Sequence, residues 1–316
     1  MVSLLIKNIR TFVGLHDIPI RPLTILTGEN SSGKSTCLAA LATVCDPDGF
    51  PFSPGFDKPP YHLGSYETIA TDCEKGRGQA STFAIGFQRA DDRTTVLATY
   101  GSSTGGRPAF RELKLSKAER TICKVTVEES RASLTGALAS LVVGDFSYKF
   151  PFDVGKPTFG RRPASFFETL FRSMRKAPST SEGRENFFKA IEALPVGGID
   201  LGMATSIAPI RSRPERVYSE ATAAFEPTGD HIPFVLKQLF REHKDSPETR
   251  ALVQAVHDFG QESGLFSNLR IKQLGKSSGD PFQLIAKIAG RDRNVIDVGY
   301  GVSQAIPVVA QSILSS

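Results

Sequence analysis

The chain has 316 residues, 40% of them hydrophobic, which is enough for a real core in one large α/β domain or two smaller ones and excludes a disordered chain. Its net charge of +5 is a mild excess that permits contact with nucleic acid without demanding it. The four cysteines, Cys37, Cys45, Cys73 and Cys123, form no CxxC pair and have no clustered histidines beside them, so neither a zinc site nor a disulfide framework is expected and a reducing, cytoplasmic setting fits.

The start, Met1 to Lys7, carries too short an apolar run for a signal peptide, and no window of about eighteen apolar residues occurs, so a soluble protein with no membrane partner is expected. Residues 3 to 12 read as a strand, Gly14 with Asp17 marks a turn, and Ile18-Pro19-Ile20 reads as the antiparallel partner. The apolar run Leu23-Thr24-Ile25-Leu26 then leads into Gly28-Glu29-Asn30-Ser31-Ser32-Gly33-Lys34-Ser35, followed by Thr36. This stretch fits G-x-x-x-x-G-K-[ST] without a mismatch, with a β-prone run before it and the helix formers Cys37 to Ala42 after it. In such a loop the glycines allow a tight turn, successive N–H groups point at phosphate oxygens, and the helix adds its positive end. Lys34 is placed to reach the β- and γ-phosphates of ATP, Ser35 to offer its hydroxyl to Mg²⁺, and Thr36 to touch the α-phosphate.

Two strands leading directly into a P-loop resemble the ATPase heads of SMC proteins, RecF and the OLD nucleases. In those families an Arg and a small hydroxyl residue at the end of the first strand lie near the nucleotide, and Arg10 and Thr11 match them by position. An exposed polar strand end is the alternative reading of the same pair.

Beyond the helix, residues 46 to 60 are rich in Pro, Gly and Phe and read as an ordered loop. Leu63-Gly64-Ser65-Tyr66-Glu67 resembles the stretch that bacterial stand-alone ABC-like ATPases carry at their Q-loop position, but it has no glutamine, which leaves Glu67 a weak candidate beside a plain surface turn. Short alternating runs at 81–87, 94–100, 110–115 and 122–127, with turns at Asp91-Asp92 and Gly101 to Gly106, predict an antiparallel meander. From 163 to 194 the spacing becomes helical, with Phe166, Phe167, Leu170, Phe171 and Met174 on one helix and Phe187, Phe188, Ile191 and Leu194 on the next. Neither carries sustained heptads, which excludes a long coiled-coil arm.

Residues 207 to 218 hold Arg211, Arg213 and Arg216 among prolines, similar to an arginine segment of the same ATPases. Planar guanidinium groups suit phosphate or carboxylate partners, and internal salt bridges are the equal alternative. Helices are predicted over 230–243 and 247–260, with His243 and His257 as ordinary helix residues, and a hairpin from 269–274 and 282–288. Val295 to Pro307 then resembles the Asp-Val-Gly-aromatic-Gly-Val-Ser-Gln signature that replaces Leu-Ser-Gly-Gly-Gln in these ATPases. The resemblance implies that Gly299, Gly301, Val302, Ser303 and Gln304 cap the γ-phosphate bound by an opposite protomer.

The expected fold is therefore an α/β P-loop NTPase of ABC-ATPase type, with a mixed central sheet, an antiparallel β-layer and a helical subdomain. Its parts are placed at 1–130 for the P-loop and β lobe, 131–260 for a mainly helical insertion, and 261–316 for the hairpin and signature helix. An apolar strand ending in Asp-Glu, which supplies Mg²⁺ ligation and the general base in this family, is not found, so either the domain is expected to continue past Ser316 or this is a degenerate ATPase whose carboxylates come from another polypeptide, and the catalytic residues are unassigned. The implied function is an ATP·Mg²⁺-binding homo-oligomer, a head-to-head dimer or higher, regulating an effector nuclease in bacterial anti-phage defence or DNA maintenance, with DNA left open as a partner. The alternative is a non-hydrolysing ATP-dependent switch or scaffold. A transporter ATPase is disfavoured because the signature is not Leu-Ser-Gly-Gly-Gln.

Overall fold

The computed structural model describes residues 1–46, 49–52, 54–72, 78–103, 105–128, 137–143, 146–152, 201, 204–209, 211–219, 224–242 and 246–315. The chain separates into two compact units, Met1–Ala204 and Thr205–Ser316. The two phenylalanine-rich helices predicted over 163–194, and His243, lie outside the described residues. Among the described residues no helix is long and apolar enough to cross a membrane.

The first unit is built on one eight-stranded sheet in the order β2-β1-β3-β4-β5-β6-β7-β8. Its strands are β1 (Val2–Ile9), β2 (Phe12–Ile20), β3 (Thr82–Arg89), β4 (Thr94–Ser102), β5 (Pro108–Lys117), β6 (Arg120–Glu128), β7 (Ala137–Val143) and β8 (Phe146–Phe152). Every pairing in it is antiparallel, so the mixed central sheet expected from the sequence is not formed by the described residues. The predicted meander is present, and the sheet runs past residue 130, through β7 and β8, into the stretch read as mainly helical.

One face of the sheet is apolar by alternation. Phe83, Ile85 and Phe87 of β3 and Val96, Ala98 and Tyr100 of β4 are all buried in one core with Leu4 and Ile6 of β1. On β5 the buried residues Phe110 and Leu113 are three apart, which breaks the alternation; a bulge opposite Thr99 and Tyr100 inserts one residue and returns both side chains to the core. Helix α1 (Lys34–Val44) packs on β1 and β3, burying Cys37, Ala39, Ala40 and Val44. The Phe-rich loop covers the rest. Phe52, Phe56 and Tyr66, the last on the short helix α2 (Tyr66–Ile69), meet Phe83, Tyr100 and Phe110 in edge-on and tilted ring pairs at 4.8–5.5 Å, and Tyr100 stacks on Phe83 at 5.4 Å. The buried Tyr100 hydroxyl donates to the Pro51 carbonyl at 2.5 Å, which fastens the loop to the sheet.

The β1–β2 hairpin turns at Arg10-Thr11, because Ile9 pairs with Phe12; Gly14 and Asp17, read from the sequence as the turn, lie inside β2. Asn8 and Arg10 accept left-handed backbone at φ 55° and 48°, and the Asn8 carbonyl oxygen Oδ1 takes the Gly14 N–H at 2.9 Å, so the side chain replaces a ladder bond lost at the bulge. The run Leu23 to Leu26 joins no sheet among the described residues, and Leu23 and Ile25 are 79% and 75% exposed. A strand needs a neighbour to accept its backbone, and apolar β-prone residues alone do not supply one.

The second unit packs α3 (Ile232–Lys237), continued by one π turn at Gln238–Glu242, with α4 (Pro247–Glu262) and α5 (Tyr300–Leu314) about a three-stranded antiparallel sheet. That sheet is β11-β10-β9, from β9 (Asn268–Gln273), β10 (Phe282–Ile288) and β11 (Arg291–Asn294). The predicted hairpin and helices are present. Strand β11, which reads Arg-Asp-Arg-Asn, has no apolar alternation; it pairs because Ala289 and Gly290, at φ 48° and 76°, form the left-handed two-residue turn that hairpins require. Tyr218 bridges Phe282 through both backbone bonds, at 2.9 and 3.0 Å, and stacks on its ring. His257 is indeed a structural helix residue, its Nε2 bonded to the Leu269 carbonyl at 2.9 Å.

Gly86 in the middle of β3 leaves no room for a side chain, since a Cβ there would lie 1.9 Å from the Val96 carbonyl oxygen. Gly86→Ala is expected to destabilise the first unit by about 3 kcal/mol, an overpacking cost read as a lowered urea midpoint.

Candidate functional site

The loop Gly28 to Thr36 owes its course to backbone that most residues avoid. Gly28, Ser31 and Gly33 stand at φ 147°, 65° and 97°. A Cβ on Gly28 would lie 2.9 Å from Ser32 Oγ. At Gly33 it would lie 2.7 Å from Thr11 Oγ1 and 2.8 Å from the Phe12 ring. The hairpin end and the phosphate-type loop therefore touch through a gap that only glycine leaves open.

Lys34 begins α1, and its Nζ donates to the carbonyls of Gly28 and Glu29 at 2.9 and 2.6 Å. The ammonium group is thus held across the mouth of the loop by acceptors that an anion would outcompete. Helix α1 has no side-chain cap and no acidic residue in its first turn, which leaves its N–H groups and positive end available. Glu29, Asn30, Ser31, Ser32 and Ser35 are exposed around it. Ser35 is on the open side, where a hydroxyl can serve as an oxygen ligand to Mg²⁺. Thr36 is only 4% exposed and turns into the face of α1 that packs on the sheet.

Arg10 and Thr11 are brought to the loop by the hairpin, and they do different things. Thr11 lies against Gly33. The Arg10 guanidinium instead donates from Nε to the Thr68 carbonyl at 3.1 Å and from Nη2 to the Leu63 carbonyl at 3.2 Å, while its N–H bonds to the Ile69 carbonyl at 2.8 Å. It fastens the Leu63-to-Glu67 stretch to the hairpin. Glu67 is exposed in the first turn of α2. The link between Arg10 and this stretch had no signal in the sequence, since neither residue type nor spacing pairs them.

In the second unit, Gly299 caps α5 with extended backbone, and Tyr300 behind it is 69% exposed. A Cβ on Gly299 or Gly301 would meet nothing within 4 Å, so this turn is open to close approach. Like α1, α5 has no side-chain cap and no acidic residue in its first turn. Val302, Ser303 and Gln304 are buried. The Ser303 hydroxyl donates to the Tyr300 carbonyl at 3.1 Å, and Gln304 Nε2 donates to the Ser212 carbonyl at 3.5 Å.

The three arginines of the arginine segment separate. Arg216 forms a two-pronged pair with Asp297, Nη1 to Oδ2 at 2.9 Å and Nη2 to Oδ1 at 2.5 Å, which answers the sequence ambiguity in favour of an internal salt bridge for this one. The guanidinium holds the Asp297 carboxyl below its ordinary value, and the carboxylate in turn raises Arg216. Arg211 donates to the Ala208 carbonyl at 3.4 Å, and Arg213 is exposed with no carboxylate partner among the described residues. A cavity of about 430 Å³ in this unit is lined by Arg213, Glu215, Tyr218, Phe234, Ser303 and Pro307 among others. Burial raises the Cys37 thiol and pushes Cys123 up to about 12, so neither thiol is a nucleophile at neutral pH.

No curated protein matches the chain. Residues 1–52 match the family model described as the P-loop containing region of AAA domain, and this match together with the loop geometry identifies the first unit's site as a P-loop nucleotide site.

Proposed function

We propose that the chain is an ABC-like ATPase head of SMC/RecF/OLD type that binds ATP·Mg²⁺ and associates head-to-head with a second copy. On this reading Gly28 to Thr36 hold the triphosphate, Ser35 ligates Mg²⁺, and the turn at Gly299 to Gln304 of one protomer faces the nucleotide of the other. The assembled heads regulate an effector nuclease or other effector in bacterial anti-phage defence or DNA maintenance. The observation that carries the reading is a pair of glycine-opened helix N-termini in one chain, on α1 and α5, both uncapped and free of acidic side chains. The other long helix among the described residues is built differently: α4 has a Ser246 cap and Glu248 in its first turn. Two unneutralised positive ends suit a ligand that carries several negative charges and is gripped from two sides. No residue is assigned as general base, and ATP turnover by this chain alone separates the hydrolysing head from the nucleotide-driven switch.

Loss of the Lys34 ammonium removes charge-assisted bonds to phosphate, so Lys34→Ala is expected to weaken ATP binding about 30-fold in equilibrium titration with a fluorescent ATP analogue. Gly33→Ala, which strains the left-handed backbone and drives a methyl into Thr11 and Phe12, should cost tenfold or so by the same titration, with a native circular-dichroism spectrum. Gly301→Arg places bulk where an added Cβ meets nothing within 4 Å in its own protomer. It is expected to leave nucleotide binding by the monomer unchanged and to abolish ATP-dependent association in sedimentation velocity. Association that survives Gly301→Arg would overturn the head-to-head arrangement.

A further inference from the structure

The arginine segment is tied to the turn before α5 at three points, two of them at Arg216. Its guanidinium grips both carboxylate oxygens of Asp297, at 2.9 and 2.5 Å. Its carbonyl accepts Asn294 Nδ2 at 2.9 Å, while Asn294 Oδ1 takes the Ile296 N–H at 3.2 Å. Beyond the turn, Gln304 Nε2 reaches back to the Ser212 carbonyl at 3.5 Å. Residues 294, 297 and 304 bracket Gly299 to Ser303 on both sides, so the turn is held from its base. At its tip the turn is open, since a Cβ added on Gly299 or Gly301 would meet nothing within 4 Å.

The Arg216 and Asp297 side chains are 59% and 43% exposed. An exposed pair of this kind adds little to stability. What the two-pronged geometry does supply is orientation, because a planar guanidinium on a carboxylate fixes both direction and distance, which a lysine could not do. Asp297 is two residues before the helix cap, so its placement sets the direction from which the chain enters α5 and hence where the Tyr300 and Gly301 N–H groups point. Arg293 on β11 adds a second positive charge near Asp297, so its carboxylate stays ionised in any near-neutral buffer.

We infer that Arg216 is a positioning residue for the signature turn, acting through Asp297 to aim the N-terminus of α5 at a phosphate bound by another copy of the chain. The inference rests on the head-to-head reading for its purpose but not for its geometry.

The test compares wild type with Arg216→Ala, Asp297→Asn and the exchanged pair Arg216→Asp/Asp297→Arg. Hydrogen exchange at residues 298–302 of the nucleotide-free protein reads the positioning directly. Faster exchange there is expected in both single variants, with the melting temperature unchanged and exchange slowed again in the exchanged pair. With ATP, the single variants should bind nucleotide as monomers like wild type and associate about tenfold more weakly. That is about threefold for one exposed ion pair, counted twice because a two-fold interface uses both turns. Unchanged exchange at 298–302 in Arg216→Ala, or an exchanged pair no better than the singles, would overturn the positioning role. If wild type itself shows no ATP-dependent association, the head-to-head reading fails, and the exchange measurement still decides whether Arg216 positions the turn.

Discussion

The first unit's site depends on the missing side chain at Gly33. With backbone at φ 97° and no Cβ, the loop lies directly against Thr11 and Phe12 of the hairpin. That contact seats the loop on the sheet, because the same hairpin contributes β1 to the centre of the core through Leu4, Ile6 and Ile9. The chain of contact therefore runs from the aromatic cluster around Tyr100, through β1, to a position that needs glycine. A methyl group at Gly33 would be felt in two ways, as backbone strain and as displacement of the hairpin, and both move the N–H groups that face a phosphate.

Arg10 extends this constraint to the stretch after the Phe-rich loop. Its guanidinium donates to the Leu63 and Thr68 carbonyls, so it stabilises a turn of the chain, and these neutral acceptors leave its positive charge uncancelled. The hairpin end thus works as a clip, with Thr11 on the P-loop side and Arg10 on the α2 side. Lys34 is the group that remains adaptable. Its bonds to Gly28 and Glu29 are to carbonyls, which are weaker partners than phosphate oxygens, so the lysine is held ready and is easily transferred.

Much of this was legible in the sequence, and the unread parts have physical reasons. The P-loop was readable because glycines at fixed offsets and a Lys-Ser pair encode a local turn that needs nothing from the rest of the chain. Strands β3 to β6 and the hairpin of β9 and β10 announced themselves by alternation, because one face of each is buried. Strand β11 is all polar, so only the Ala289-Gly290 turn could have located it. The β1–β2 turn was misplaced because Gly14 looks like punctuation, whereas Asn8 and Arg10 take the left-handed positions. The run Leu23 to Leu26 failed as a strand for a different reason: pairing is a property of two segments, and the sequence of one does not reveal whether a neighbour is there. Arg216 could not be told from Arg211 or Arg213 by type or spacing, since its partner Asp297 is eighty-one residues away.

The α5 turn raises a last point about which atoms would meet a phosphate on the proposed reading. Ser303 is one of the five residues that the signature resemblance implies as the cap, yet it is 7% exposed and its hydroxyl already donates to the Tyr300 carbonyl. A hydroxyl engaged in this way tightens the first turn of the helix. The exposed elements are Gly299, Tyr300 and Gly301, whose backbone has no capping side chain above it. An anion approaching this end would therefore meet backbone N–H groups and the positive end of α5 first, and Ser303 would act by holding those groups in place. The glycines are then required for access and the serine for rigidity, which makes the entry angle set by Asp297 and Arg216 the remaining variable of the turn.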